Sequence, residues 1–303
     1  MVIMIKRLLA FLLALLPVFG SILPVTAAAE ATKSIYSSFC IPTGSVRMIG
    51  HRGYSAVAPE NTLPAFRLAG ENGFWGAECD TSPTADGAWI IMHDDTVDRM
   101  TNGEGKVIDH TLEELRALTV DAGNNVEQYP GTRVPLLTEY LDVCREYDMY
   151  AVIEIKGCTP VEMLDDLAAL LSAREEKDRF LIISFGQEHC ARIKELMPET
   201  PVYLLIGGSE DFADSMQFAL DHKLDGVDFA HIWGRKWVKS AQKAGLKTAV
   251  WTVDDVATAN QFYRWGVRDF TTNALTPQAP EGNKLQHLIW TLRDYFYQTF
   301  FRN

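Results

Sequence analysis

Four short stretches of this 303-residue chain place reactive side chains at the ends of apolar runs. His51 and Arg52 follow the run Val46, Met48, Ile49 and are closed by Gly53. Glu78 and Asp80 lie two residues apart in WGAECDTS, and Glu154 and Lys156 have the same spacing in YAVIEIK. His93 and Asp94 end WIIMHDD. Side chains at i and i+2 of a strand share a face, so each carboxylate-bearing pair is aimed at one place while Cys79 points away from it. Glu78, Asp80 and Glu154 form an all-oxygen set suited to one hard divalent cation, Ca2+ or Mg2+. Arg52 and Lys156 could hold an anion beside it. His51 and His93 can exchange protons near neutral pH. Gathered around one pocket, these parts describe phosphodiester cleavage well. Taken singly, each has a plainer explanation: a hydrogen-bonded core histidine, or a Glu–Lys salt bridge within a strand.

The elements that must carry these residues recur with a regular rhythm after residue 46. Strand-like runs occupy 47–53, 75–82, 150–156, 180–185, 201–207, 226–232, 247–253 and 266–272. Helical stretches fill the intervals, among them NTLPAFRLAGENG, with Asn61 or Thr62 as its cap, and VEMLDDLAALL, with Val161, Leu164, Leu167, Ala168 and Leu171 on one face. Further helices are expected at 137–147, 187–197, 211–222, 235–244, 254–264 and 284–300. Eight strands alternating with eight helices predict an α/β chain folded as a (β/α)8 TIM barrel, with a doubly wound open sheet as the alternative. In such a barrel the reactive groups gather where strands end, which is where the charged pairs fall. Residues 83–135 break the rhythm after the second barrel strand. An Ala-Asp-Gly turn followed by Trp89–Met92 predicts a hairpin, and the whole segment reads as an inserted lid.

Composition narrows the surroundings. The hydrophobic fraction is 47% and mean hydropathy is near zero, enough for a large core. Residues 1–29 read as a secretory signal peptide: Lys6 and Arg7, an apolar stretch broken by Pro17, Gly20 and Pro24, then Ala27, Ala28 and Ala29. Residues 30–46 are a lead-in and 47–303 the barrel. The protein is therefore expected to be exported, secreted, periplasmic or at the cell surface, with an uncleaved anchor as the alternative. Removing Lys6 and Arg7 moves the formal charge from −12 to −14. So acidic a chain is not expected to bind nucleic acid, and any anion must be gripped locally. Five irregularly spaced cysteines without a CxxC pair indicate no zinc site and read mostly as buried thiols. The aromatic C-terminal stretch KLQHLIWTLRDYFYQTFFRN is the expected last barrel helix and a candidate membrane-surface contact. Nothing in the sequence speaks to oligomeric state.

The pieces GHRG with PENT, ECD, MHDDTVDRMTNGEGKV, IEIK, SF and VWTVD, in that order over about residues 47–275, resemble the glycerophosphodiester phosphodiesterases. The resemblance implies a barrel, a divalent cation, and hydrolysis of small glycerophosphodiesters to glycerol 3-phosphate and an alcohol. It implies His51 and His93 as the acid–base pair, Glu78, Asp80 and Glu154 as metal ligands, and Arg52 and Lys156 as phosphate-binding cations. It further implies Trp251 as an aromatic lining the substrate pocket, although a barrel-interior Trp would fit the position as well. Glu60 and Asn61 match the family pattern. Thr271, Thr272 and Asn273 vary within a motif that often ends in Asp and carry no assigned role. Two rivals stay open at this stage: a related two-histidine barrel that releases a cyclic phosphate from lipids, and a non-catalytic surface binding module.

Overall fold

The computed structural model describes residues 33–37, 41–208 and 212–278. The signal-peptide stretch, Cys40 and the expected 284–300 helix lie outside the described residues.

Eight parallel strands close on themselves. In chain order they are β1 (Arg47–Gly50), β2 (Gly76–Pro83), β4 (Tyr150–Ile155), β5 (Phe180–Ser184), β6 (Val202–Ile206), β7 (Gly226–Ala230), β8 (Lys247–Trp251) and β9 (Asp269–Thr272). β1 pairs with both β2 and β9, which closes the barrel and excludes the open sheet. A short strand β3 (Trp89–Ile91) belongs to the insertion. Outer helices are α1 (Leu63–Glu71), α3 (Leu137–Glu146), α4 (Leu164–Ser172), α5 (Gln187–Leu196), α6 (Phe212–Asp221), α7 (Arg235–Lys243) and α8 (Val256–Arg264), while α2 (Leu112–Ala117) lies in the insertion. Seven outer helices are thus described. Val161 sits in a 3-10 turn ahead of α4 rather than on its face, because Pro160 starts the segment one turn early.

The strands are buried on both sides, and their period of two sorts side chains between two cores. Ile49, Val152, Leu181, Ile183, Tyr203, Leu205 and Ala249 fill the barrel. Their sequence neighbours, such as Met48, Ile153, Ile182, Leu204 and Val250, face the helices with Phe66 and Tyr140. Cys79 joins this outer core, as its place between Glu78 and Asp80 predicts. The barrel floor is sealed by the Arg47–Asp269 ion pair and by Trp75 stacked on Tyr150 at 4.0 Å. Cys79, Cys144, Cys158 and Cys190 are free, and all but Cys158 are buried. No helix among the described residues is long and apolar enough to cross a membrane.

The insertion is a folded layer. β2 runs past the barrel rim and pairs antiparallel with β3, Thr81 opposite Ile91. Ile90, Met92, Val97, Met100, Val107, Leu115, Val120 and Val134 make a separate small core above the rim. Thr111 and Glu114 form a capping box that starts α2.

Candidate active site

The site is assembled by strand register. Asp80 on β2 lies opposite Glu154 on β4, and Glu78 stands two residues below Asp80 on the same inward face. All three are buried, and one carboxylate oxygen from each lies within 4.8 Å of the others. Glu78 Oε1 is buried and has no hydrogen-bond partner. A buried carboxylate oxygen left without a donor is costly, and an all-carboxylate donor set with one such oxygen fits a hard divalent cation. Burial, then the charges of Asp80 and Glu154, raise the Glu78 carboxyl well above its ordinary range. Burial and Asp80 push Glu154 up to about 7.

Two cations lean on this cluster. Lys156 Nζ donates to Glu154 Oε1 at 2.8 Å and to Asp80 Oδ1 at 3.1 Å. Arg52 Nε lies 3.6 Å from Asp80 Oδ2, and its Nη1 donates to Glu60 Oε1 at 2.9 Å. The loop that carries Arg52 is tightly built. Arg52 itself has φ of 56° and its backbone N–H donates to Glu78 Oε2 at 2.7 Å. Gly53 has φ of 81°, and a Cβ there would come within 2.7 Å of the Ala65 backbone. Only glycine meets both demands. Beyond it, Thr62 rather than Asn61 caps α1, accepting from Ala65 N. Asn61, at φ of 55°, instead donates from Nδ2 to Asp80 Oδ2 at 2.7 Å.

The histidines face the cluster from two sides. His51 Nδ1 lies 2.7 Å from Asn273 Oδ1. Burial first, and Arg52 second, lower its pKa from the ordinary histidine value. His93 Nδ1 lies 2.7 Å from Asp94 Oδ1. Bonds from Arg99, with His93 adding, hold the Asp94 carboxyl down at about 2, so it stays ionised. Arg99 also donates to Glu60 Oε1 at 2.6 Å. Glu60 therefore bridges Arg52 to the His93 segment, a link that the PENT match did not disclose. Trp251 is half-buried at the mouth, its Nε1 on the Asp228 carbonyl at 3.2 Å and its ring edge-on to Phe185 at 5.6 Å. It packs against the barrel-interior cluster, as a barrel-interior Trp would.

A 540 Å3 cavity adjoins the site, lined by His51, Arg52, Ser55, Glu60, Asn124 and Asn273 among others. Its outer wall comes from the insertion: Asn124 Nδ2 donates to Ser55 O at 2.8 Å and Asn125 Nδ2 to Val57 O at 3.1 Å. Asn124 and Asn273 had no assigned role from the sequence. Asn273 could have been suspected from closure alone, since the residue after β9 must lie beside the residue after β1.

The comparisons with known proteins agree with this architecture. Residues 51–276 match the model of the Glycerophosphoryl diester phosphodiesterase family. A glycerophosphodiester phosphodiesterase of Caldanaerobacter subterraneus subsp. tengcongensis is 34% identical over 233 residues, which are 75% of this chain and 93% of that protein. An Oleispira antarctica phosphodiesterase, solved in complex with the product sn-glycerol-3-phosphate, superposes with a TM-score of 0.68 at 27% identity, covering 80% of this chain and 96% of its own. A glycerophosphodiester phosphodiesterase of Agrobacterium tumefaciens gives 0.63 at 28% identity, covering 75% and 96%.

Proposed function

This chain belongs to the glycerophosphoryl diester phosphodiesterase family, and from that premise we propose a divalent-cation-dependent hydrolysis of small glycerophosphodiesters to sn-glycerol 3-phosphate and an alcohol. One observation carries the reading: three buried carboxylates with oxygens within 4.8 Å of one another, at the rim where His51, Arg52, His93 and Lys156 converge. The product held by the Oleispira antarctica neighbour supports the product class.

Glu78, Asp80 and Glu154 would hold the cation, Ca2+ or Mg2+. When bound, it would supply Lewis-acid stabilisation of charge on the phosphoryl oxygens. Arg52 and Lys156 bind and orient the phosphate. Arg52 is already aimed by Glu60, so little side-chain freedom is lost on binding. His51, neutral in its buried place, takes the proton of the attacking group, either water itself or a substrate hydroxyl whose cyclic phosphate water then opens to glycerol 3-phosphate. His93, held through Nδ1 by the ionised Asp94, gives a proton to the leaving alkoxide. Trp251 and Phe185 offer an apolar border to the substrate. The 1–29 stretch supports export, which N-terminal sequencing of secreted protein would test.

The test is release of sn-glycerol 3-phosphate from a panel of glycerophosphodiesters with Ca2+, with Mg2+ and with a chelator, beside a His51→Ala variant. Release that needs both metal and His51 is expected. A persistent cyclic phosphate as the end product would move the protein to the lyase class. Turnover that survives the chelator would remove the metal from the reading.

A further inference from the structure

We infer that Asp254 and Asn273 form a positioning device for His51, holding its ring in the Nδ1–H tautomer so that Nε2 is the proton acceptor. The inference deepens the reading above and rests on it for the role of His51.

The geometry is a chain of three side chains. Asn273 Nδ2 donates to Asp254 Oδ2 at 2.7 Å, and the Asn273 backbone N–H donates to Asp254 Oδ1 at 2.8 Å. These two bonds from one residue to one carboxylate fix which end of the amide faces which neighbour. The amide nitrogen faces Asp254, so Oδ1 faces His51, 2.7 Å from Nδ1. An amide oxygen only accepts, so Nδ1 must carry the proton. In a neutral ring the lone pair then lies on Nε2. A flipped amide would set its oxygen against the Asp254 carboxylate and lose that bond, while its nitrogen would donate to a bare Nδ1 and select the opposite tautomer.

The device is anchored on the barrel seam. His51 N–H donates to Thr272 O at 2.8 Å, extending the β1–β9 ladder by one residue past Gly50 opposite Thr272. Thr272 Oγ1 donates to Asp254 Oδ1 at 3.0 Å. Ser55 Oγ donates to Asn273 Oδ1 at 3.0 Å, and Ala56 N–H to Asn273 O at 3.1 Å, so the same amide sets the loop beside His51. An amide at position 273 also suits a base. A carboxylate there would favour the imidazolium, whereas the amide orients the ring without adding negative charge. The charged and titratable groups facing His51 are Arg52 from its own loop, Asp80 from β2 and His93 from the segment after β3.

The test combines 15N NMR of labelled histidines with steady-state kinetics on the whole protein, in Ca2+ and in Mg2+. In the wild type, His51 is expected with its proton on Nδ1 and Nε2 bare at neutral pH. Asp254→Ala frees the amide to turn; it is expected to populate the Nε2–H form and to lower kcat about 10- to 100-fold with KM nearly unchanged. Asn273→Ala should cost about as much, and the double variant little more than either single one. Asn273→Asp combined with Asp254→Asn, which puts a donor where two carboxylates would otherwise meet, should restore the orientation while moving the His51 titration and the acid limb of kcat to higher pH, a shift that a merely structural residue would not cause. Should Asn273→Ala fail to fold, Asp254→Ala and this double exchange carry the test. Wild-type His51 found with its proton on Nε2, or folded Asp254→Ala with wild-type kcat and tautomer, would overturn the inference. Unchanged turnover in His51→Ala would instead sink the catalytic reading of His51, and the tautomer measurement would still judge the device.

Discussion

Asp80 and Glu154 stand directly opposite each other on adjacent parallel strands, and one lysine, two residues along from Glu154, donates to both. Burial alone would neutralise both carboxylates. It does raise Glu154, with Asp80 adding to the effect. Asp80 goes the other way: burial opposes it, but the charges of Lys156, His93 and Arg52, with the bond from Asn61, bring it below its ordinary value. The pair thus joins an acid held ionised to one whose proton affinity is raised, and a divalent cation bound there would compete with that proton.

Replacing either member should therefore act through the metal. Asp80→Asn and Glu154→Gln keep shape and remove charge. Each is expected to weaken Ca2+ or Mg2+ binding by at least about 100-fold and to lower turnover in step. Titration calorimetry reads the affinity. Thermal unfolding gives a second reading, because saturating metal should stabilise the wild type by about 2.7 kcal/mol at 100 times Kd and these variants hardly at all. Wild-type affinity in either variant would take that residue out of the ligand set.

Arg52 lowers the pKa of His51 by its charge, and its proposed grip on the phosphate is separable from that effect. Arg52→Lys keeps a charge but loses the fork, so kcat/KM should fall about 10- to 100-fold while the His51 titration stays nearly in place. Arg52→Gln should lower kcat/KM further. With the nearby positive charge gone, the imidazolium is easier to form, so the His51 midpoint and the acid limb of the rate profile should move to higher pH. An NMR titration of His51 that moves down, or fails to move, in Arg52→Gln would contradict this.

Much of this site is legible in the sequence because a strand has a period of two. Glu78 with Asp80 and Glu154 with Lys156 announce their shared faces, and eight runs with helical intervals announce the barrel that gathers them. What escapes the sequence is contact between distant segments. His51 and Asn273 are 222 residues apart, and Glu60 meets Arg99 across 39, so neither bond has a local pattern. Asn61 and Thr62 are equally good caps on paper. Only the position of the Asp80 carboxylate decides that Asn61 turns inward and Thr62 caps the helix. The insertion reads as a polar lid because Val97, Met100 and Val107 are scattered among charges, yet they converge into a small core.

That insertion reaches the site through Asn124, which bonds the Ser55 carbonyl and lines the cavity. Asn124→Ala removes the bond and widens the cavity without touching the carboxylate cluster. It is expected to raise KM several-fold for the preferred diester and to narrow the gap between head groups, with kcat within about 3-fold of wild type. A panel of diesters differing only in the alcohol would show this. An unchanged rank order and KM would place head-group selection elsewhere on the rim.

Asp228 offers a test of stability rather than catalysis. Its side chain points into the barrel from β7, fully buried, with Oδ1 unpartnered. Burial, then Asp269 and Glu154, raise its carboxyl well above the ordinary value. The sign follows from proton counting. Above a pH of about 3.9 the unfolded chain releases this proton while the folded chain keeps it, so stability falls as pH rises until the raised folded value is passed. Asn at this position carries no such proton. Asp228→Asn should therefore be near wild type in stability around pH 4 and more stable by about 1–3 kcal/mol at pH 8, a gain of several degrees in Tm. Melting curves across that range decide it: parallel pH profiles for the two proteins would mean that Asp228 finds a partner for its charge inside the barrel.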